Sequence, residues 1–370
     1  MTPAIHEISR YVDFPVPRVH LELTNACNFD CSFCPKPLMT RPKGYMDPQL
    51  ARRILDELAR ENLAQKATFH VMGEPFLHPQ LFPILEYGRD KGVSLGVTTN
   101  GSLLTPKTAD RLLELVQQVN ISLQTPDEIS FALRGSRSLR AEEYFEGILG
   151  FIDRACHRGN ETTIKLHLLN SWRLPSLGAL GDSFGDQIRV IEDKAGLHGT
   201  LKEWVQRIYR LEGIREKEKE KRVLEAINSV SFKRWNVLEV YPNIYLETYM
   251  LDDWGNSLAA GSIRRARMGY CPAVRDHFAI LWNGDLVLCC RDFDGKTALG
   301  NVRERSLLDI LSSPPAIGIL RGFRRYRVLH PHCQECLGGA TLPRSLFRQL
   351  GSILLWKGLK KYLYVTRRLY

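Results

Sequence analysis

No stretch of the sequence approaches the roughly 20 consecutive apolar residues that a membrane-spanning helix requires. The first 17 residues include Asp13 and three prolines but no long apolar run, so we expect no secretory signal. Without such a signal the chain is expected in the cytoplasm, where cysteines stay reduced. Its nine cysteines therefore indicate metal binding rather than disulfides.

Acidic residues are absent from residues 341–370, which carry seven Lys or Arg and contribute to the net charge of +10. Such an excess can attract nucleic acid, an anionic membrane or a charged substrate. Residues 345–364 have the spacing of a basic amphipathic helix with interfacial aromatics. Two interpretations stay open: peripheral contact with an anionic membrane, or packing on the protein with Lys and Arg outward. The sequence contains no strong nucleic-acid signal.

Three cysteines, Cys27, Cys31 and Cys34, lie close together just after a predicted strand at 19–24. No further Cys or His lies nearby at zinc-finger spacing, although a structural zinc site needs four ligands. Three thiolates can hold three irons of a 4Fe–4S cluster and leave the fourth iron open to a substrate or cofactor. The alternatives are a zinc knuckle or three packed thiols.

Strands and helices alternate between residues 18 and 193. The predicted strands span 19–24, 67–72, 93–99, 119–124, 163–169 and 187–191. The predicted helices include 48–62, 80–91, 105–118 and 141–158. This alternation favours a parallel sheet with helical crossovers, and the segment is long enough for about six strand–helix units. When strand–helix units of this kind form a barrel, the chemistry lies at the C-terminal ends of the strands.

The later cysteines surround a predicted hairpin with its turn at 283–285. Four of them suit one metal site, namely Cys271, Cys289, Cys333 and Cys336. This set can hold a zinc ion or a complete 4Fe–4S cluster. On the residues alone zinc is slightly favoured, because a hairpin facing Cys-x-x-Cys is typical of a zinc ribbon. Cys290 is an alternative ligand to Cys289.

The first cysteine pattern, Cys-x-x-x-Cys-x-Phe-Cys with Phe33 at the aromatic position, resembles the signature of the radical S-adenosylmethionine (SAM) enzymes. The resemblance implies an α/β fold, a partial (β/α)6 TIM-like barrel. It also implies that the open iron of the cluster binds SAM, with Phe33 beside the adenine. One electron, from a partner such as flavodoxin or ferredoxin, would then release a 5′-deoxyadenosyl radical; this chemistry belongs to the cofactor.

The resemblance implies a contact with the amino group of SAM at the end of the second strand. The residues Gly73-Glu74-Pro75 resemble the family's Gly-Gly-Glu-Pro motif, although Met72 replaces the first glycine. A carboxylate and backbone carbonyls suit an ammonium group. Taken alone, a Gly-Glu-Pro sequence also suits an ordinary turn.

Further SAM contacts are implied at the next two strand ends. Thr99 and Asn100 occupy the family's Thr-Asn-Gly position near SAM, where Asn-Gly is also a turn signal. Ser122 matches a serine near the ribose or carboxylate, and Arg134 an arginine near the carboxylate, which its fork can bind in a bidentate way. Gln124 replaces the family's Asp. A capping serine and a surface arginine are the alternatives.

The second group of cysteines resembles the SPASM/twitch extension of radical SAM enzymes. The order is Cys271, a hairpin, Leu299-Gly300-Asn301 and Cys333-x-x-Cys336, and no cysteine follows. The shorter twitch form, with one auxiliary 4Fe–4S cluster and four cysteine ligands, fits and reverses the preference for zinc. The layout is similar to that of twitch-type dehydrogenases that oxidise an aminocyclitol. The predicted domains are the barrel (1–193), a helical and strand bridge (194–250), the twitch domain (251–340) and the tail helix (341–370).

These observations predict a radical SAM enzyme that abstracts hydrogen from a substrate carbon. We expect a redox modification of a small metabolite or a lipid-linked group, in the cytoplasm and with possible peripheral contact at the inner membrane surface. One alternative is a maturase of ribosomal peptides. Such enzymes often carry a peptide-recognition domain before the barrel, so the 17 residues before the first strand region disfavour this alternative unless a separate protein supplies that domain. The other is a non-catalytic metal-binding module.

Overall fold

The computed structural model describes residues 7–159, 161–171, 188–214, 216–251, 253–259 and 261–370. Eleven strands of these residues form one sheet in the order β10-β9-β8-β1-β2-β3-β4-β5-β7-β6-β11. The strands are β1 (Arg18–Leu21), β2 (Ala67–Phe69), β3 (Leu95–Thr99), β4 (Gln118–Gln124), β5 (Thr163–Asn170), β6 (Trp235–Tyr241), β7 (Ile244–Met250), β8 (His277–Ile280), β9 (Asp285–Val287), β10 (Gly300–Asn301) and β11 (Tyr364–Arg368).

Helices connect and cover these strands. Those of the described residues include Pro48–Glu61, Leu81–Asp90, Pro106–Leu115, Glu128–Phe131, Ala141–His157, Lys194–Tyr209, Lys217–Ile227, Leu307–Leu311, Pro314–Arg324, Pro331–Cys336, Leu342–Leu354 and Lys360–Leu363. Helix Pro48–Glu61 begins where the sequence predicts, because the Asp47 carboxylate accepts the N–H groups of Gln49 and Leu50. Its first position is a proline, which lacks the N–H that would have no partner there.

Six strands, β1 to β5 and β7, run parallel to one another and form the partial barrel. Their outward side chains are apolar, fully buried and packed in the main core: Val19, Leu21, Val97, Ile121 and Leu166. The side chains that alternate with them on the inner face are mostly polar: His20, Thr68, Thr98, Asn120 and Lys165. The inner face is therefore the part of the sheet that suits a polar site.

The predicted sixth strand at 187–191 is wrong over 188–191; residue 187, with the helical stretch expected before it, lies outside the described residues. Ile191 forms only an isolated bridge with Asn170. Ile188 and Ile191 are both buried but lie three residues apart, which does not match the two-residue period of a strand. The sixth parallel strand is β7, which pairs along the whole of β5.

Residues predicted as a bridge at 194–250 therefore complete the sheet. The hairpin of β6 and β7 brings β7 alongside β5, and helix Lys194–Tyr209 packs against the barrel. Trp204 of this helix is fully buried, and its indole N–H donates to the Pro126 carbonyl at 3.1 Å. These long-range contacts join the segment to the core of the barrel.

The predicted auxiliary hairpin is present and extends the same sheet on its other side. β8 pairs in parallel with β1, and β9 returns antiparallel to β8. Gly284 in the turn has a φ of +96°, a conformation that favours glycine. The hairpin between Cys271 and Cys289 is thus bonded directly to the first strand of the barrel.

The tail was predicted as one helix over 345–364, but the structure divides it. Helix Leu342–Leu354 continues through a π-helical turn, Leu355–Leu359, into the short helix Lys360–Leu363. The chain then forms β11, which pairs in parallel with β6 at the edge of the sheet. Among the described residues, no helix combines the length and apolar character needed to cross a membrane.

We predict that β7 stabilises the fold as strongly as its neighbour β5. Leu166 and Leu246 are paired in the register and fully buried. Either Leu→Ala change removes packed methyl groups and should cost about 2–5 kcal/mol of stability. The control Leu329→Ala, at a residue that is 53% exposed, should cost far less. Anaerobic thermal melting measures these effects, and a Leu246→Ala protein as stable as the control would contradict the assignment of β7 to the core.

Candidate active site

The cysteine loop, residues 27–34, follows β1 at its C-terminal end. The backbone amide of Asp30 donates to the Arg134 carbonyl at 3.1 Å, and that of Ser32 donates to the Leu133 carbonyl at 2.9 Å. The loop is thus bonded to the turn that follows β4. This contact brings two motifs, separated by about a hundred positions in the sequence, to one end of the sheet.

Lys36 bonds three residues of the same loop through its ammonium group, and sequence reasoning missed it. Its ammonium donates to the carbonyls of Cys27 and Phe29 at 3.2 and 3.0 Å, and it bonds the Asp30 carboxylate at 2.6 Å. A lysine two residues after Cys34 carries no motif, so only the folded loop shows this role.

The first three cysteines are brought together as thiols, close enough to interact electrostatically. Burial raises the pKa of all three, and that of Cys34 to about 12. Backbone N–H groups of Phe29 and Lys36 donate to the sulfurs of Cys27 and Cys34. A bound metal deprotonates its thiol ligands, and N–H donors to sulfur tune iron–sulfur clusters. The donor set therefore fits a cluster with three cysteine ligands.

Gly73 lies against the start of the cysteine loop. Its φ is +76°, and a Cβ there would stand 2.6 Å from the Ala26 carbonyl oxygen and closer still to that of Thr24. The amide of Glu74 donates to the same Ala26 carbonyl at 2.8 Å. Only glycine fits this crossing of two chain segments.

The Glu74 carboxylate is fully buried and is bonded within the protein. It accepts the Thr99 hydroxyl at 2.8 Å and the Asn100 amide at 2.6 Å. Burial raises the pKa of Glu74 to about 7. Glu74 therefore joins the ends of β2 and β3, and its contact with the amino group of SAM stays a prediction.

Asn100 connects the end of β3 to the cysteine loop. Its side-chain amide, Nδ2, donates to the side-chain oxygen Oδ1 of Asn28 at 2.9 Å and lies 3.7 Å from the Cys27 sulfur. Asn28 in turn donates to the Ser102 hydroxyl at 2.8 Å. Asn28 was not singled out from the sequence, where an Asn beside a cysteine has no specific signature.

Arg134 is buried beside the cysteine loop, with 1% of its surface exposed. Its guanidinium donates to the Gln124 side chain at 2.7 Å and lies 4.9 Å from the centre of the Phe29 ring. Within the described part of the chain its Nε atom has no hydrogen-bond partner. Gln124, where the sequence departs from the family pattern, is thus a direct partner of the arginine.

Phe33 and Ser122 are the remaining residues predicted to contact SAM. The Phe33 ring is 7% exposed and its centre lies 5.9 Å from the Arg134 guanidinium. Ser122 is partly buried on β4, where alternation with buried Ile121 puts it on the inner face. The structure thus gathers all seven residues predicted to contact SAM around the ends of β2, β3 and β4.

The second group of cysteines is also brought together as thiols. Burial raises the pKa of Cys289 well above its usual value, and the nearby sulfurs of Cys271, Cys290, Cys336 and Cys333 contribute to this. Gly255, with a φ of +66°, passes so close to Cys336 that a Cβ would lie 2.7 Å from its sulfur. Four cysteines grouped in this way can supply the four thiolate ligands of a closed metal cluster.

A buried ion pair between Glu22 and Arg41 joins the two cysteine regions, and sequence reasoning missed it. The guanidinium donates to both carboxylate oxygens at 2.8 and 2.9 Å. The same carboxylate accepts the backbone amides of Met72 at 3.3 Å and Trp282 at 3.1 Å. A charged residue between the apolar residues Leu21 and Leu23 was the only signal that the sequence offered.

Comparison with known proteins agrees with this fold and these cysteines. A model of the radical SAM superfamily matches residues 21–171, and one of the SPASM iron–sulfur cluster-binding domain matches residues 271–337, together more than half of the chain. The protein therefore belongs to the radical SAM superfamily. Within it, the chain is of the SPASM/twitch type, which implies a 4Fe–4S cluster that works with SAM and an auxiliary iron–sulfur cluster.

The curated relatives share only part of this chain. The mycofactocin maturase MftC of Mycobacterium tuberculosis is 27% identical over 201 residues, 53% of this chain and 49% of that protein. The tungsten-containing aldehyde ferredoxin oxidoreductase cofactor-modifying protein of Pyrococcus furiosus is 34% identical over 97 residues, 26% of this chain and 27% of that protein. The chain thus spans half or less of the length of these two relatives.

Solved structures match more of the chain at lower identity. The crystal structure of Streptococcus suis SuiB bound to S-adenosylmethionine covers 86% of this chain and 71% of its own, with 16% identity and a TM-score of 0.52. The crystal structure of BtrN in complex with AdoMet and 2-DOIA covers 85% and 89%, with 17% identity and a TM-score of 0.49. The likeness to SuiB supports the radical SAM fold.

Gly73→Ala should weaken SAM binding because the added Cβ would force apart Gly73 and the cysteine loop. Gly92→Ala is a matched control: its φ is +74°, but nothing lies within 4 Å of the added Cβ. Both changes carry the cost of a left-handed backbone, roughly 1–2 kcal/mol. We expect SAM affinity to fall by on the order of tenfold for Gly73→Ala alone, about 1.4 kcal/mol. Anaerobic equilibrium dialysis measures it; equal affinities in the two variants would contradict the role of Gly73.

Proposed function

We propose that this protein cleaves SAM reductively to methionine and a 5′-deoxyadenosyl radical, which abstracts hydrogen from a carbon of its substrate. The observation that carries this proposal is Arg134, buried beside three grouped thiols with its Nε atom unpartnered in the described part of the chain. A carboxylate is the group that matches the fork of a guanidinium. The SAM carboxylate would supply one at this place.

The two clusters are assigned to the two groups of thiols. The ligands of the SAM-binding cluster are Cys27, Cys31 and Cys34. The ligands of the auxiliary cluster are Cys271, Cys289, Cys333 and Cys336. When bound, the first cluster supplies the electron that breaks a carbon–sulfur bond of SAM, after a partner such as flavodoxin or ferredoxin has reduced it. The chain contributes the carboxylate site at Arg134 and the apolar wall of Phe33.

The reaction class that we favour is oxidation of a small metabolite or a lipid-linked group. Four cysteine ligands leave no iron of the auxiliary cluster open to a substrate, so that cluster is suited to accept an electron. Loss of a hydrogen atom and then of an electron and a proton makes a net two-electron oxidation. The similarity to MftC over 201 residues favours a second candidate, maturation of a peptide.

Two cysteine substitutions test the cluster assignments. Cys31→Ala should abolish SAM cleavage and remove about half of the iron, because only one of two 4Fe–4S clusters loses a ligand. Cys333→Ala should also lose iron but retain part of the SAM cleavage. Cys156→Ala, at a thiol that packs in the main core, is the control and should keep both. Iron analysis and deoxyadenosine assays measure these outcomes.

Either of two results would refute an assignment. SAM cleavage by Cys31→Ala would remove the first group of cysteines from the reaction. A Cys333→Ala protein with the iron content of the Cys156→Ala control would show that the second group holds no iron–sulfur cluster.

We further propose that the first helix of the tail, Leu342–Leu354, binds an anionic lipid surface. Its buried side chains are polar, Arg344, Ser345 and Gln349. Ser345 and Gln349 bond the backbone of the segment 264–268. Its apolar side chains point outward at 43–59% exposure: Leu342, Leu346, Phe347, Leu350 and Leu354. This is the reverse of a helix that packs its apolar face on its own protein.

The charge of the tail supports an anionic lipid surface as the partner of this apolar face. Lys357, Lys360 and Lys361 are exposed just beyond it, and residues 341–370 contain no acidic side chain. An apolar helix face flanked by lysines and interfacial aromatics is suited to the boundary of an anionic bilayer. Peripheral contact of this kind would bring the enzyme close to a lipid-linked substrate.

Vesicle sedimentation tests the lipid surface. The protein should bind phosphatidylglycerol vesicles, bind phosphatidylcholine weakly, and lose affinity as salt rises. Leu350→Glu should weaken binding by on the order of tenfold, about 1.4 kcal/mol. Leu329→Glu, an equally exposed leucine outside the tail, should bind as the unmodified protein does. Unchanged binding by Leu350→Glu, or a dimer in buffer that this change dissociates, would contradict the proposal.

A further inference from the structure

We propose a third metal site, for a zinc ion or a similar transition metal, formed by His20, His277 and Cys290. One donor atom from each residue, two ring nitrogens and one sulfur, lies within 4.8 Å of the other two. Neither cluster assignment uses any of the three residues. The site is therefore additional to the SAM-dependent reaction.

Separate strands bring these ligands together. His20 is on β1 and His277 begins β8, which pairs with β1 in parallel. Their rings meet at nearly a right angle, with centres 5.3 Å apart. Cys290 follows β9, which returns along β8. The three residues are far apart in the sequence, so no spacing motif reveals the site.

The distance between His277 and Cys290 fits a shared tetrahedral metal. The His277 Nε2 atom lies 3.7 Å from the Cys290 sulfur. Zinc bonds of about 2.0–2.1 Å to nitrogen and about 2.3 Å to sulfur put tetrahedral ligands about 3.6 Å apart. An N–H···S hydrogen bond suits this pair as well, so the third ligand and the surroundings distinguish a metal site.

The surroundings of His277 are those of a metal ligand. Its other ring nitrogen, Nδ1, lies 2.9 Å from the Asp276 carboxylate, which also accepts the Arg18 guanidinium at 2.7 Å. A carboxylate on the far nitrogen fixes the tautomer that presents Nε2 to a metal and raises the basicity of the ring. Asp276 thus already makes with His277 the carboxylate contact that zinc-binding histidines commonly have on the nitrogen that does not bind the metal.

His20 supplies the independent observation. It is 6% exposed, and its Nδ1 atom has no hydrogen-bond partner within the described residues. A buried ring nitrogen without a partner is destabilising, and a metal ion bound to it would compensate for this loss. The His70 ring lies 5.6 Å from that of His20, so a further imidazole borders the site.

Three protein ligands leave one tetrahedral position for water or for an oxygen or nitrogen of a small molecule. His20 shares the inner face of the sheet with Thr98 and Asn120, so this position is on the polar side of the barrel. The ligand class that the site would take is therefore a carboxylate, hydroxyl or amine group.

X-ray absorption at the zinc edge tests the site in the intact holoenzyme, because it does not detect iron. Protein loaded anaerobically with iron, sulfide and zinc, then dialysed, should retain about one zinc per chain. Its spectrum should show two imidazole nitrogens, one sulfur and one further light atom. His277→Gln and Cys290→Ser should each lower zinc retention at least about tenfold while leaving the iron content unchanged, a loss of about 1.4 kcal/mol of binding free energy. Controls are His157→Gln and Cys156→Ser, which should retain zinc fully.

Three results would overturn the proposal. The first is a holoenzyme that retains no zinc after dialysis. The second is a zinc spectrum with four sulfur ligands, which would place zinc in the auxiliary cysteine group. The third is loss of iron in Cys290→Ser, which would make Cys290 a ligand of the auxiliary cluster.

Discussion

The buried ion pair between Glu22 and Arg41 holds the two halves of the site in one arrangement. Glu22 directly follows β1, ahead of the cysteine loop, and Arg41 follows that loop. Their pairing leaves carboxylate lone pairs for the backbone amides of Met72, which follows β2, and Trp282, which lies in the turn of the auxiliary hairpin. Removing either charge would leave the other buried without a partner, which should lower the free energy of unfolding by about 3–5 kcal/mol. This ion pair therefore connects the cysteine loop to the second barrel strand and to the auxiliary hairpin.

Local patterns in the sequence carried much of the fold and of the candidate site. The alternation of strands and helices up to β5 follows from hydrophobic period and capping residues such as Asp47, both of which act over a few positions. The cysteine spacings and the Gly73 turn are equally local. Each records a constraint, a ligand geometry or a close chain crossing, that must be met by neighbouring residues.

Features that depend on distant contacts escaped the sequence. The segment 188–191 was assigned a strand that β7 provides, because buried isoleucines alone do not say which segment reaches β5. The partner of Glu22 lies beyond the cysteine loop, and nothing local selects Arg41. The spacing of the tail helix identified an amphipathic helix but not which face the protein covers. The polar face packs on the rest of the protein, so the leucines of the opposite face are exposed to solvent.

The central claim is that a deoxyadenosyl radical takes hydrogen from a substrate. The most direct measurement is deuterium transfer into 5′-deoxyadenosine, with reduced anaerobic protein, SAM and fractionated extracts of cells grown on heavy water. Label arising with the lipid or small-molecule fraction is the result that the account predicts, and label from the peptide fraction would favour a maturase. A protein with both clusters loaded that forms no deoxyadenosine with any fraction would contradict the account.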